Sequence, residues 1–217
     1  MISLLIPTRE KFENLKVCLD SFINLSKSLD NFEILLAMDD DDIETIKKIK
    51  TYITEKNVSN IFIIEGERMY YANFHKYMFK LFEKSKGNLL WLLADDVEVK
   101  TLGWDDIILK HFNDSDFLYG YVKILDHEVW NFSLVPIIQR KWVEITERIS
   151  ENSQTDLWLG HIAEDLNIVY KINEVEVSIF QEANGLQHNS RKFYTSDQEQ
   201  WNIDKSKLSE YLKLKNK

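Results

Sequence analysis

Two adjacent carboxylates, Asp95 and Asp96, follow the apolar run from Leu89 to Ala94. A run of this length and composition is typical of a buried strand. Two ionised carboxylates at the end of such a strand repel each other, so water, a basic neighbour or a cation must offset their charge. Carboxylate oxygens are ligands of Mg²⁺ and Mn²⁺, which makes the pair a candidate metal site. In the structural alternative, Asp95 caps the segment that follows and Asp96 is solvated.

A run of acids, Asp39 to Asp42, follows a second apolar run in the same way. Acids at the start of a helix complement its dipole, so a purely structural role for Asp40 to Asp42 is at least as well supported as a functional one. The acids are contiguous rather than alternating, and no glycine stands where an EF-hand loop needs its sharp turn. The sequence therefore does not predict a calcium loop.

Apolar runs suited to buried strands alternate with segments of helical spacing over the first hundred residues. The strands are expected over ISLLIP, FEILLAM, NIFIIEG and NLLWLLA. The helix before the last strand is expected to turn Tyr77 to its apolar side and to stop at Gly87. This order predicts a parallel, doubly wound α/β sheet, whose ligands bind beyond the carboxyl ends of the strands. Those ends carry Pro7, Thr8, Arg9, Asp39, Gly66, Glu67, Arg68, Asp95 and Asp96.

The pattern is looser after Asp106. Strands are expected over FLYGYVKIL, VWNFSLVPII, VYKI and VEVSIF, and helices over IILKHF, RKWVEITERI and TDLWLGHIAEDLNI. Thr155 is the expected N-cap of the last of these helices. A lysine-rich, weakly amphipathic helix is expected at the C-terminus, either docked or frayed.

Composition limits the class of protein. The chain has 217 residues, enough for one well-formed core, so we expect one domain. A net charge of −9 argues against sequence-independent binding of nucleic acid. Cys18 is the single cysteine and is expected to be a buried structural thiol. Because no segment approaches the roughly 20 apolar residues of a membrane span and the N-terminus lacks signal-peptide features, we expect a soluble, cytoplasmic protein.

The collinear order of these segments carries a resemblance. It runs through LLIPTRE, FEILLAMDDDD, GERMYYANFHKYMF, SKGNLLWLLADDVEV, GWDD, a Thr155–Asp156 pair at a helix start and a late His188. Over roughly residues 1 to 195 this order resembles the family 2 inverting glycosyltransferases of the GT-A fold, in a small phage-like form. The resemblance implies a Rossmann-like, mostly parallel sheet flanked by helices. It also implies a single domain over 1–217, with a nucleotide-binding half at 1–100, an acceptor and catalytic half at 101–195 and a helical tail at 196–217.

The resemblance also implies roles for the residues at the strand ends. Pro7, Thr8 and Arg9 would line the nucleotide pocket, and Asp39 would accept a hydrogen bond from the base or ribose. Arg68 would contact the base or the diphosphate, and Arg191 would close over the diphosphate. Asp95 would face the sugar or ribose, while Asp96 and His188 would hold Mn²⁺ or Mg²⁺. Ala94 stands where the family's metal motif has its first Asp.

Inversion at a sugar carbon requires a base that takes the proton of the acceptor hydroxyl. The candidates are Asp156 and the pair Glu164 and Asp165. By resemblance Asp156 is the base, because Leu159 and Asn167 follow it at the family's spacing. Trp158 lies close enough in sequence to stack on an acceptor sugar, although most tryptophans of a small domain belong to its core.

The implied partners are a nucleotide-sugar donor, expected to be a UDP-sugar, and an acceptor that the sequence does not identify: a glycan, a protein, a small molecule or a modified nucleobase. Two other functions stay open. A nucleotidyltransferase also places acids at strand ends, but it normally has a glycine-rich loop after the first strand, and PTREKFEN contains no glycine. A non-catalytic relative that binds a nucleotide or glycan is compatible with Ala94.

Overall fold

The first half of the chain forms the strands and helices that its periodicity predicts. The computed structural model describes residues 1–113, 117–125, 134–180 and 197–215. The elements are β1 (Ile2–Thr8), α1 (Phe12–Asn24), β2 (Phe32–Asp39), α2 (Ile43–Lys56), β3 (Ile61–Gly66), α3 (Phe74–Lys84) and β4 (Leu89–Leu92). Short 3₁₀ turns at Leu29–Asn31 and Tyr71–Asn73 precede β2 and α3.

The second half differs from expectation in three strands. Its elements are β5 (Val97–Val99), α4 (Trp104–Asn113), β6 (Tyr119–Ile124), β7 (Ile137–Gln139), α5 (Arg140–Thr146), α6 (Thr155–Asp165), β8 (Val169–Ile179) and α7 (Gln198–Lys215). The short strand β5 was not predicted. Of the strand expected over VWNFSLVPII, residues 129–133 lie outside the described residues, residues 134–136 are not strand, and the observed strand begins only at Ile137. The two strands expected over VYKI and VEVSIF are one strand, β8. Its pairing with β6 jumps from Ile172 to Glu176, so the polar residues between them lie in an irregularity within the strand and do not end it.

The described strands form one eight-stranded sheet in the order β3-β2-β1-β4-β7-β6-β8-β5. β1 is parallel to both β2 and β4, and β2 is parallel to β3. β7 is antiparallel to β4 and β6, whereas β8 is parallel to β6 and antiparallel to β5. The predicted α/β fold with a mostly parallel sheet is confirmed. Because β1, β2 and β4 point the same way, their carboxyl ends meet at one edge.

Apolar side chains from the helices cover both faces of the sheet. On one face, Trp91, Trp104 and Phe22 are fully buried and make edge-on and tilted ring contacts, with centroids 5.1 to 5.5 Å apart. Cys18 lies in the same layer at 0% exposure, and burial raises the pKa of its thiol well above the usual value. The prediction of a structural thiol therefore agrees with its position. None of the described helices is long and apolar enough to cross a membrane.

Gly87 has a different role from the one expected. Helix α3 ends at Lys84, before the predicted stop. A Cβ atom on Gly87 would lie 2.5 Å from Ser3 Oγ and 2.8 Å from the Met1 carbonyl oxygen, so the close approach of β1 requires glycine here. The Gly87 N–H donates to Ser3 Oγ at 2.8 Å and to Glu33 Oε1 at 3.2 Å. These bonds fix the start of β4 against β1 and β2.

Candidate functional site

Asp95 follows the carboxyl end of β4 and is 6% exposed. Thr8, the last residue of β1, donates its hydroxyl to Asp95 Oδ2 at 2.8 Å, and Lys11 Nζ lies 3.5 Å from Oδ1. Burial is the main cause of the raised pKa of Asp95; the charge of Lys11 and the Thr8 bond oppose it, and the charge of Asp96 adds to it. A basic neighbour therefore offsets the two acids. Lys11 was missed because the apolar pattern of α1 gives no signal for a lysine just before the helix.

Asp96 is half-buried and adjoins β5. Its backbone carbonyl accepts a hydrogen bond from the N–H of Phe180, which follows β8. Burial is the main cause of the raised pKa of its carboxyl group, and the charge of Lys11 opposes it. Ala94, which by resemblance stands where the metal motif has its first acid, is exposed. Asp95 already holds Thr8 and Lys11, so Asp96 is the acid of the pair that is better placed for a further ligand.

Asp39 ends β2 and is 4% exposed. Arg9, the residue after β1, donates from Nη1 to Asp39 Oδ2 at 3.0 Å. Arg9 also forms ion pairs with Asp41 and with Glu10, whose Oε1 lies 2.9 Å from Nη2. The hydrogen bond to Arg9 is the main cause of the lowered pKa of Asp41. The predicted residues Arg9 and Asp39 are thus in direct contact.

Tyr77 of α3 holds the other oxygen of Asp39. Its hydroxyl donates to Asp39 Oδ1 and accepts a hydrogen bond from the backbone N–H of Met69 at 2.6 Å. Desolvation and then the bond to Asp39 raise the pKa of Tyr77. Helical spacing predicts that Tyr77 lies on the apolar side of α3. It does not predict which residue the hydroxyl group contacts, so the bond to Asp39 was not expected. Tyr77 therefore links β2, the segment after β3 and α3.

Asp42 caps the start of α2, which is the structural role considered for the acidic run. It is the N-cap of α2, where its carboxylate accepts hydrogen bonds from Thr45 N at 3.4 Å and from Glu10 N at 2.7 Å. Glu10 has a φ of 56°, in the left-handed region that non-glycine residues seldom adopt. The bond to Asp42 fixes this turn between β1 and α1.

Arg68 and Pro7 lie at the same edge of the sheet. Arg68 is exposed, and its guanidinium lies 4.5 Å from the centroid of the Tyr70 ring. Its charge adds to that of Arg9 in lowering the pKa of Asp41, so Arg68 lies near the Arg9 ion pairs. Pro7 is half-buried in β1, opposite Ala37 of β2.

Asp156 occupies the first turn of α6 and is half-buried. Tyr71, in the turn after β3, has a raised pKa, first through desolvation of its hydroxyl and then through the charge of Asp156. Tyr71 is nevertheless 70% exposed, so solvent reaches much of this side chain. The charge effect indicates that Asp156 lies near Tyr71, in the turn that precedes α3.

The alternative bases lie elsewhere on α6. Glu164 Oε2 is 3.3 Å from His161 Nδ1, and Asp165 Oδ2 accepts a hydrogen bond from Lys205 Nζ at 2.7 Å. Both acids are at the end of the helix away from Asp156, as the sequence predicted.

One expectation for α6 is wrong, and Trp158 takes the core position of its two alternatives. Thr155 is the first helical residue, not the N-cap, and its hydroxyl is 3.0 Å from Ser150 Oγ. Trp158 is fully buried and donates its indole N–H to Asp204 Oδ2 at 3.3 Å, so it is not available to stack on an acceptor. The Asp204 contact was missed because α7 is far away in sequence.

His188 and Arg191 lie outside the described residues. Among the residues that the structure describes, no group of three or more His, Cys, Asp or Glu side chains is placed to hold a metal ion. The donor chemistry at the end of β4 nevertheless suits a hard cation, because Asp96 supplies carboxylate oxygens and a diphosphate supplies others.

Comparison with known proteins identifies the family. The family model described as glycosyl transferase family 2 matches residues 3–164. The chain belongs to glycosyl transferase family 2. The match includes β1 to β7 and nearly all of α6, and so every described site residue. No curated protein sequence matches the chain.

Solved structures show the same fold. S. aureus TarS 1-349 in complex with UDP-GlcNAc superposes with a TM-score of 0.68 at 11% identity, over 83% of this chain and 59% of that one. Its complex with UDP gives 0.67 at 12% identity, over 82% and 60%. The mannosyltransferase PcManGT from Pyrobaculum calidifontis, in complex with GDP-Man and Mn²⁺, gives 0.62 at 11% identity, over 85% and 58%.

At these identities the likeness shows the fold, which is the GT-A fold expected from the sequence. The family 2 chain described here spans about 60% of the length of the TarS 1-349 chains.

Proposed function

We propose that this family 2 chain transfers a sugar, with inversion, from a nucleotide-diphosphate donor to an acceptor hydroxyl. The proposal rests above all on one observation: β1 supplies consecutive residues to two buried acids, Thr8 to Asp95 and Arg9 to Asp39. These contacts bring the acids of β2 and β4 together at the carboxyl edge of the sheet, where doubly wound folds bind their ligands.

Asp39, Arg9, Thr8 and Pro7 would form the nucleotide pocket, with Arg68 beside it. Ribose hydroxyls and base N–H groups are hydrogen-bond donors, and an ionised carboxylate accepts from them. The exposed guanidinium of Arg68 suits a diphosphate or a base. A UDP-sugar is the first donor to test, because TarS structures contain UDP and UDP-GlcNAc. Arg191 would add a charge over the diphosphate.

Asp96, together with His188, would hold Mn²⁺ or Mg²⁺, and Asp95 would face the sugar or ribose. A bound divalent cation would neutralise charge that develops on the departing diphosphate. A solved neighbour contains Mn²⁺ with GDP-Man, which supports testing this metal first.

Asp156 would be the catalytic base. Its place in the first turn of α6 and its charge effect on Tyr71, which follows β3, support this role. The competing acids Glu164 and Asp165 lie at the other end of α6. Base catalysis of this kind contributes a factor of about 10² to 10⁴ in rate.

A calorimetric titration tests the donor site. UDP, GDP and CDP are each added to the protein with Mn²⁺ and with the metal chelated. We expect one nucleotide to bind, and Mn²⁺ to tighten its binding. Asp96→Asn should remove the effect of Mn²⁺, whereas Asp106→Asn, an exposed acid of α4, should not. Failure of all three nucleotides to bind would contradict the proposal.

Turnover distinguishes the enzyme from a non-catalytic relative. The replacement of an acid by Ala94 is the observation that keeps the second function open. Slow release of UDP from UDP-GlcNAc, measured without an acceptor, would establish donor cleavage. Binding of a nucleotide together with no turnover of any nucleotide-sugar tested would favour the non-catalytic relative.

A further inference from the structure

A single buried carboxylate joins the C-terminal helix α7 to helix α6. Asp204 of α7 is 0% exposed, and its Oδ2 accepts the indole N–H of Trp158 at 3.3 Å. Its Oδ1 accepts a hydrogen bond from Gln200 at 2.8 Å and lies 3.6 Å from Arg148 Nε. Arg148 belongs to the loop that leads into α6, and Trp158 to the start of α6. Asp204 therefore holds both from one position.

Three more polar contacts attach α7 and the residue before it to the same region. They join Asp197 to Asn152 at 3.0 Å, Lys205 to Asp165 at 2.7 Å and Lys207 to Glu147 at 2.7 Å. Trp201 and Leu208 of α7 are buried in the apolar layer that contains Trp158. Helix α7 thus contacts the loop before α6, the start of α6 and its last residue.

The position of these contacts points to a role in the site. Trp158 lies in the same first turns of α6 as Asp156. Burial of a carboxylate costs several kcal/mol of desolvation. Replacement of a buried ion pair by apolar side chains is often neutral, or stabilises the fold by about 1 to 4 kcal/mol. The buried Asp204 carboxylate is therefore better explained by the orientation that it gives to the start of α6 than by a gain in stability. The family match ends at residue 164, so α7 lies outside it.

We propose that Asp204 is a positioning residue that fixes the start of α6, and with it the Asp156 carboxylate, through Trp158 and Arg148. This inference rests on the proposed function of Asp156. Helix α7 is then part of the active-site framework of this chain. Small displacements of a catalytic group are costly, since a misplacement of about 1 Å can reduce rate about 10²-fold.

The test compares Asp204→Asn with Glu210→Gln in the full chain. Both changes convert a carboxylate of α7 to an amide, but Glu210 is exposed. The first readout is amide hydrogen exchange of residues 155–159, with the Trp158 indole N–H followed by NMR. The second is UDP-GlcNAc hydrolysis, separated into kcat and KM. We expect Asp204→Asn to speed exchange at 155–159, shift the indole signal and lower kcat about tenfold at unchanged KM.

Glu210→Gln should match the wild-type protein in all of these measurements. Unchanged exchange and indole signal in Asp204→Asn would overturn the proposal, and so would faster exchange with unchanged kcat. If Asp204→Asn does not fold, Trp158→Phe provides the second test, because it removes the indole donor and keeps a smaller aromatic ring; it should lower kcat at unchanged KM. Absence of turnover in the wild-type protein would instead overturn the proposed function, while exchange would still test the attachment of α6.

Discussion

Neighbouring residues at the end of β1 reach opposite sides of the strand. Thr8 turns to Asp95 beside β4, and Arg9 turns to Asp39 beside β2. The acids on both sides are therefore oriented by side chains of the protein itself. Orientation of this kind lowers the entropy that a bound ligand would otherwise lose when it orders the side chains.

On the acceptor side, the proposed function depends on one residue, Asp156. Asp156→Asn removes the proposed base while it keeps the size of the side chain, so transfer should fall at least about 10²-fold and donor affinity should be unchanged. Initial rates of UDP-GlcNAc turnover and calorimetry with UDP measure the two effects. Asp165→Asn, on the same helix, is the control and should keep the wild-type rate. Full activity in Asp156→Asn would move the base to Glu164 or Asp165.

Tyr77 provides a prediction for the donor side. Tyr77→Phe leaves Asp39 Oδ1 and Met69 N without their shared partner, so nucleotide affinity should fall about tenfold, the equivalent of about 1.4 kcal/mol. Tyr52→Phe is a matched control, because the Tyr52 hydroxyl donates to Asp20 at 3.0 Å, in the contact between α1 and α2. Calorimetric titration with UDP compares the variants. Equal affinities in the two variants would remove Tyr77 from the site.

At the scale of elements, the regular parts of this chain were predictable and the contacts between them were not. Helical spacing and apolar runs identified β1 to β4 and α1 to α3, because each element has its own apolar face. The strand β5 was missed because its three residues are too few for a periodic signal. Thr155 was expected to cap α6, but its partner Ser150 lies in a loop that no pattern describes.

Asp105 shows how one acid connects two elements. It begins α4, is 0% exposed and accepts hydrogen bonds from Lys27 N at 2.7 Å, Ser28 N at 3.0 Å and Asn31 Nδ2 at 2.8 Å. The segment between α1 and β2 is therefore held by α4.

Asp105→Ala should lower the free energy of unfolding by about 3 kcal/mol, because two backbone N–H groups lose their acceptor in a partly buried place. Urea unfolding measures the change. Asp106→Ala is the control. The Asp106 carboxylate is exposed and accepts a hydrogen bond from Asn31, so the free energy of unfolding should change by no more than about 0.5 kcal/mol. A similar loss in both variants would assign the effect to helix α4 itself and not to the contact.

At the scale of the whole molecule, the sequence predicted the class of fold and most of the acids at the strand ends. It did not predict the donors that hold them, Lys11 and Tyr77, because these come from other elements and belong to common residue types. Nor did it predict Asp204, which is one acid of a lysine-rich helix in the sequence and a buried link in the fold. Such roles depend on distances across the fold that a single sequence does not encode in its periodicity.

The burial of Asp204 makes the stability of the whole chain depend on pH. Burial raises the pKa of Asp204, and Gln200, Arg148, Trp158 and Lys207 offset only part of this effect. The folded protein therefore holds its proton at a pH where the unfolded chain, with a value of 3.8, has lost it. In that window the folded state binds more protons, so this residue's contribution to stability falls as pH rises.

Asp204→Asn removes this contribution. The free energy of unfolding of the wild-type protein, minus that of the variant, should become smaller from pH 4 towards pH 7, with most of the change above the ordinary pKa of 3.8. Urea unfolding of both proteins at several pH values gives the difference directly. A difference that is constant over this range would show that Asp204 titrates alike in the folded and unfolded chains.

The edge strand β5, directly after Asp96, pairs with a strand that comes much later in the sequence. Among the described strands its partner is β8, where Val97 lies opposite Ile179, and the carbonyl of Asp96 is bonded to Phe180. During synthesis from the N-terminus, β1 to β4 can therefore pair while the segment after Asp96 still lacks its partner. The wall of the site beside Asp96 forms only when β8 has left the ribosome, and such distant pairings are slow to form. A nascent chain that stops before β8 would carry β1 to β4 while the side of the site beside Asp96 is still unfinished.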